Sequence, residues 1–146
     1  DDINTAINYE KSYQDVLGSV ITEYEKAEGD FKAAVDACNS SGNGTLANTA
    51  SNTLSSGITP VLEDYKNLRG ASIDRVSTLL TLRSNAQSAN DAAALNTVAD
   101  EYEALLASGA VQTSGDIAFL AQEVSAQQGT FTTLSTQLSQ FRECGI

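Results

Sequence analysis

Apolar residues recur along the opening stretch of the chain in two interleaved series with a period of seven. Ile3, Leu17, Tyr24, Phe31 and Cys38 form one series. Ala6, Tyr13, Val20, Ala27 and Ala34, three positions later, form the other. This is the pattern of a helix laid against other helices. Ile7, Ile21 and Val35 widen the stripe, and Glu10 is its single polar interruption. The spacing predicts a helix from Ile3 to about Asn39, roughly 54 Å long at 1.5 Å per residue, with the rest of the chain packed along it. Glu28 and Lys32 on its outer face stand at the four-residue spacing that favours an ion pair. Gly18 and Gly29 are read as tolerated interruptions rather than as close helix crossings.

The turn-forming run from Asn39 to Thr45 ends this helix. Leu46 to Ser56 carries helical spacing over a short length. Gly57-Ile58-Thr59-Pro60 then reads as a stop followed by a start, with Thr59 as N-cap and Pro60 at the first helical position. A helix from Pro60 to Ser88 is expected to bury Val61, Tyr65, Leu68, Val76, Leu79 and Ala86, with Ile73, Leu80 and Leu82 beside them. Another, from Asp91 to Ala107, carries Ala94, Leu95, Val98, Tyr102, Leu105 and Leu106. The last, capped by Thr113 or Ser114, repeats a heptad through Ile117, Leu120, Val124, Gln127, Phe131, Leu134, Leu138 and Phe141, and Gly145 stops it.

The two cysteines, Cys38 and Cys144, both fall at helix ends, and a disulfide between them is expected. A bridge needs α-carbons within about 4.4–6.8 Å. If residues 46–88 formed one helix in a four-helix antiparallel bundle, the two cysteines would lie at opposite ends. A reversal at Gly57–Pro60 gives five alternating helices and brings them together. The expectation is therefore all-α: a single domain spanning 1–146, an elongated up-and-down bundle of four long helices and one short one, closed by Cys38–Cys144.

Composition narrows the setting. The 146 residues are 41% apolar, enough for a core, and few are aromatic, so small and aliphatic side chains should fill it. Eight basic against nineteen acidic residues give a net charge of −11. That disfavours nucleic acid and an anionic membrane surface, and it aids solubility. No run of about 20 apolar residues offers a membrane span. Methionine is absent even at position 1, so the expectation is either that an N-terminal signal segment has been removed in maturation or that the sequence begins after one. With the disulfide, this places the chain in an extracellular or other oxidising compartment. Asn39 and Asn43 each begin a glycosylation triplet, and Asn43 is the better placed.

Histidine is absent, which removes the commonest general base, the usual triads and the His-containing metal sites. No catalytic residue, metal or cofactor is expected. Asp100, Glu101 and Glu103 read as a solvated face, and Asp36 to Gly42 lacks the glycine and closing glutamate of a calcium loop. Three polar residues sit inside apolar stripes: Glu10, Ser72 and Gln127. Glu10 lies near a helix end where the stripe is expected to be wet. Gln127 is expected to bond across the core or to face a ligand. The function expected is a non-enzymatic, secreted or surface-exposed binding module, for a protein partner or for an apolar small molecule held between helices. The competing class is a structural subunit of an extracellular fibre, coat or other assembly, with Ile3, Ala6 and Ile7 overhanging to meet a neighbouring chain. The oligomeric state stays open.

Overall fold

The computed structural model describes residues 2–146, and they form an all-α helical bundle with no strand among them. Helix α1 runs Asp2–Ser40, α2 Gly44–Thr53, α3 Thr59–Ser88, α4 Ala92–Ala107 and α5 Ser114–Leu138, followed by a 3₁₀ segment, Ser139–Cys144. Their ends follow local chemistry. The Asn43 side chain caps α2 by accepting from the Leu46 amide at 3.1 Å, and Asp91 caps α4 through the Ala94 amide at 2.7 Å. At the start of α5, the Asp116 amide donates to Thr113 Oγ1 at 3.2 Å, while Thr113 N–H donates back to the Asp116 carboxylate at 2.9 Å. Gly145, with φ of +88°, ends the chain's last turn in the left-handed conformation that glycine adopts most easily.

The expected reversal at Gly57–Pro60 does not occur. Leu54–Ile58 is a turn of π-helix that joins α2 to α3. In a regular α-helix, Pro60 would have no N–H for the Ser56 carbonyl and its ring would collide with that oxygen. Widening the turn removes the conflict: the Thr59 N–H donates to the Leu54 carbonyl, five residues back. Thr59 keeps helical angles, φ −58° and ψ −46°, so it is not an N-cap. Its hydroxyl donates instead to Glu28 at 3.2 Å. Burial decides the outcome. Ile58 and Leu62 are 0% and 2% exposed, and burying two such side chains contributes roughly 3–6 kcal/mol. That exceeds the roughly 3 kcal/mol by which proline disfavours a helix interior.

The chain divides into two compact units, and α1, α3 and α5 contribute to both. One unit comprises the chain to Val16 with Leu68–Gln122; the other comprises Leu17–Asn67 with Glu123–Ile146. In the second, α3 runs antiparallel to α1, as the Thr59–Glu28 bond and the Lys66–Glu25 pair record. Here α5 runs parallel to α1. Tyr24 meets Phe131, Phe31 meets Phe141 edge-on with centroids 5.8 Å apart, and Cys38 is bonded to Cys144 with α-carbons 4.8 Å apart. The disulfide thus follows from a parallel pair, not from alternation of five helices.

In the first unit, Arg83 reaches Asn4 and Ser72 reaches Glu10, so α3 is again antiparallel to α1. Helix α4 starts beside Ile3 and ends beside Tyr9, in the same general direction as α1. Ala6 and Ile7, expected as an overhang for a neighbouring chain, are 5% and 2% exposed in a core cluster with Leu79 and Val111. Ile3 is partly buried against the same cluster. The later parts of this chain cover Ala6 and Ile7, so no bare overhang of the stripe stands here, while Ile3 keeps part of its surface in an open groove. Gly18 and Gly29 have open space where a β-carbon would stand, which removes a close crossing as their reason.

Candidate functional site

The expected wet position of Glu10 is dry. Its side chain is 0% exposed, and both carboxylate oxygens are taken. Oε1 accepts from Arg75 Nε at 2.7 Å and from the Gln112 backbone amide at 2.8 Å; Oε2 accepts from the Ser72 hydroxyl. Gln14 in turn donates to Ser72 Oγ at 3.2 Å. Two of the three polar interruptions, Glu10 and Ser72, are therefore partners. Arg75 and the Gln112 amide carry no signal in the local hydrophobic pattern, and the antiparallel packing of α3 on α1 was needed to find them. The carboxylate accepts three hydrogen bonds and is closed to solvent. The network fastens the segment between α4 and α5 to α1.

Gln127, the third interruption, bonds across the core of the other unit. The Tyr24 hydroxyl donates to its Oε1, and its side chain also bonds Tyr65. Burial pushes the Tyr24 phenol above its ordinary value of 10.0, and the neighbouring Tyr65 adds to the shift. Burial likewise raises Tyr65, with Glu123 adding and the Gln127 bond opposing. In the first unit burial raises Tyr102, and the Asp2 carboxylate reinforces it. The folded state thus holds phenolic protons that the unfolded chain gives up near pH 10. The corresponding stability is full below pH 10 and is lost as pH rises through the raised folded values. Urea midpoints should be flat from about pH 7 to 9 and fall above about pH 10, less steeply in Tyr24→Phe. A midpoint that rises over that interval contradicts the burial of these phenols.

The two units differ in what they expose. Tyr9 on α1, Leu68, Ile73 and Leu80 on α3, Leu95 and Leu106 on α4, and Phe119 on α5 are large apolar side chains in contact with water, and all lie in the first unit. The second unit has only Ile146 of this kind. Helix α4 accounts for the sharpest departure from expectation. Of its apolar stripe only Val98 is buried, while Leu95 is 51% and Leu106 45% exposed.

Two adjoining grooves follow α4 where it meets α1. One, of about 230 Å³, lies between Ile3 and Ala86 on one side and Leu95, Val98 and Ala99 on the other. The second, of about 260 Å³, lies between Thr5, Ala6 and Tyr9 and the pair Leu106 and Val111. Asp2 and Tyr102 line both, and the Tyr102 hydroxyl donates to the Asp2 carbonyl at 3.0 Å. Both are open grooves rather than chambers enclosed between helices. A depression of about 630 Å³ in the other unit has Thr53, Ser56, Thr130, Thr133 and Gln137 in its lining beside Leu134.

Among the described residues, no three acidic or sulfur side chains converge on a point where a metal ion could sit, and no helix is long and apolar enough to cross a membrane. Asp100, Glu101 and Glu103 are all exposed. Asn39 is exposed on the last turn of α1, and Asn43 is half-buried through its capping role. Against protein-family models, curated proteins and solved structures, the chain matches none.

Proposed function

We propose that the chain is a non-enzymatic binding module of an extracellular or otherwise oxidising compartment, which recognises a protein partner through the α4 side of its first unit. The observation that carries this reading is the uneven exposure: all but one of the large water-exposed apolar side chains lie in the unit that the disulfide does not close. Three of these side chains, Tyr9, Leu95 and Leu106, line the open grooves beside α4, and apolar side chains exposed together in this way mark interaction surfaces. The absence of histidine and the closure of Glu10 to solvent favour binding over catalysis. Asn39 and Asn43, both in the disulfide unit, would place any glycans there and leave the α4 side bare.

The test is capture from the medium or cell surface of the source. Immobilised wild-type chain should retain a protein that the Leu95→Ser/Leu106→Ser double variant, equally folded by circular dichroism, does not. Identical retention by both removes the reading. Sedimentation of the chain alone should give a monomer mass at all concentrations, and a mass that rises with concentration would favour the fibre or coat subunit instead.

A further inference from the structure

The grooves beside α4 point to the chemistry of their occupant, and this step rests on the recognition face argued above. Leu95, Tyr102 and Leu106 are spaced by seven and four residues, so they form one stripe along α4, about 16 Å from end to end at 1.5 Å per residue. Three turns of a partner helix span that length. The first groove is lined by apolar side chains, Tyr102 and Asp2; the second adds the uncharged polar residues Thr5, Gln112 and Thr113, and Asp2 is the single charged residue on either. In this unit acidic residues outnumber basic ones. From Ser84 to Gln122, within this unit, the chain holds five acidic residues and no basic one, and Asp100, Glu101 and Glu103 stand exposed on α4 itself. The unit's cations are Lys11, Arg69, Arg75 and Arg83; Arg75 is paired with the Glu10 carboxylate, while Arg83 keeps its charge in donating to the neutral Asn4 side chain.

We infer that the paired grooves receive a cationic amphipathic helix. Its apolar side chains, at i, i+4, i+7 and i+11, enter the two grooves, and its basic residues face Asp2 and the acidic side of α4. A second copy of this chain is a poor occupant, because it would set acidic face against acidic face at a net charge of −11 on each molecule. An anionic bilayer meets the same repulsion.

The probe is a fluorescein-labelled synthetic peptide of about 16 residues, with Leu at those four positions and Lys at most others, followed by anisotropy at physiological salt. Two control peptides are used: one with the same composition but its Leu residues scattered around the helix, and one with Glu in place of Lys. The ordered Lys peptide should bind. Leu95→Ser and Leu106→Ser should each weaken it about tenfold, and Ile146→Ser, in the other unit, should leave it unchanged. The scattered and Glu peptides should bind at least about tenfold more weakly. Equal binding of the scattered peptide, or unchanged affinity in both leucine variants, overturns the inference. Equal binding of the Glu peptide overturns the cationic occupant while the recognition face stands. If no peptide binds, the inference falls, and the capture experiment, which uses no designed peptide, judges the broader reading separately. Concentration-dependent dimerisation abolished by Leu95→Ser would likewise overturn it in favour of a second copy.

Discussion

Replacing Cys38 and Cys144 together with alanine should lower the unfolding free energy by about 5 kcal/mol. The bridge joins positions 106 residues apart, and in the chain-entropy model a loop of that size removes about that much from the unfolded ensemble. Domains of this size are stable by only about 5–15 kcal/mol. The double variant is therefore expected to be marginally folded at physiological temperature. The native contacts at this site add to the effect. Cys38 is fully buried and Cys144 nearly so, and the edge-on Phe31–Phe141 pair belongs to the same unit. Guanidinium titration of the double variant and of the oxidised wild type measures the loss directly. A difference under about 1 kcal/mol would mean that the unfolded chain is already compact around these ends, which would defeat the entropic account. Such dependence also bears on compartment, since a protein needing this bond is ill suited to a reducing cytosol.

How much of this was legible beforehand varies with the range of the forces involved. Helix α1 was readable because its burial is continuous: Tyr13, Leu17, Val20, Tyr24, Ala27, Phe31, Ala34 and Cys38 all lie inside, so one short-range period reports one long packed face. The joint at Pro60 was not. Gly-Ile-Thr-Pro has the local chemistry of a boundary, but the burial of Ile58 and Leu62 against distant parts of the chain overrode it through a π turn. The cysteine pairing was correctly anticipated from a topology that does not exist. Five alternating helices and a parallel α1–α5 pair both bring the two ends together, and a distance condition alone does not separate them.

The candidate site divides along the same line. Leu95 and Leu106 repeat with helical period, and periodicity identifies side chains that avoid water without saying whose surface they meet. Assigning them to this chain's own core was the natural error, and their exposure is what turns α4 into a recognition element. Glu10 failed in the opposite sense, since a charge in an apolar stripe was read as wet. A usable signal did exist: Glu10 and Ser72 interrupt stripes on two helices that pack antiparallel, so each was the clue to the other. Arg75 could follow only from that pairing, one turn further along α3.

Arg75→Met should lower the unfolding free energy by about 3 kcal/mol. It leaves the Glu10 carboxylate at 0% exposure without its counter-charge, and stranding one member of a buried ion pair costs about 3–5 kcal/mol. The Arg75 side chain is 17% exposed, so solvent already screens part of the pair and the low end applies. Glu10→Leu/Arg75→Met should cost less than the sum of the two single changes, because no charge remains to be stranded. The double variant still loses an acceptor for the Gln112 amide, worth about 1–3 kcal/mol, whereas the Ser72 hydroxyl can turn to the Glu10 carbonyl, 3.3 Å away. A double-mutant cycle by urea denaturation should therefore give a coupling of about 2 kcal/mol or more, and strictly additive losses would show that the pair does not act as a unit. Amide exchange separates its two roles. The Gln112 amide should exchange faster in Glu10→Leu, where its acceptor is gone, than in an Arg75→Met variant compared at equal global stability, where Oε1 remains. If both variants release it equally, Arg75 rather than the carboxylate itself holds the segment that carries α4 into α5.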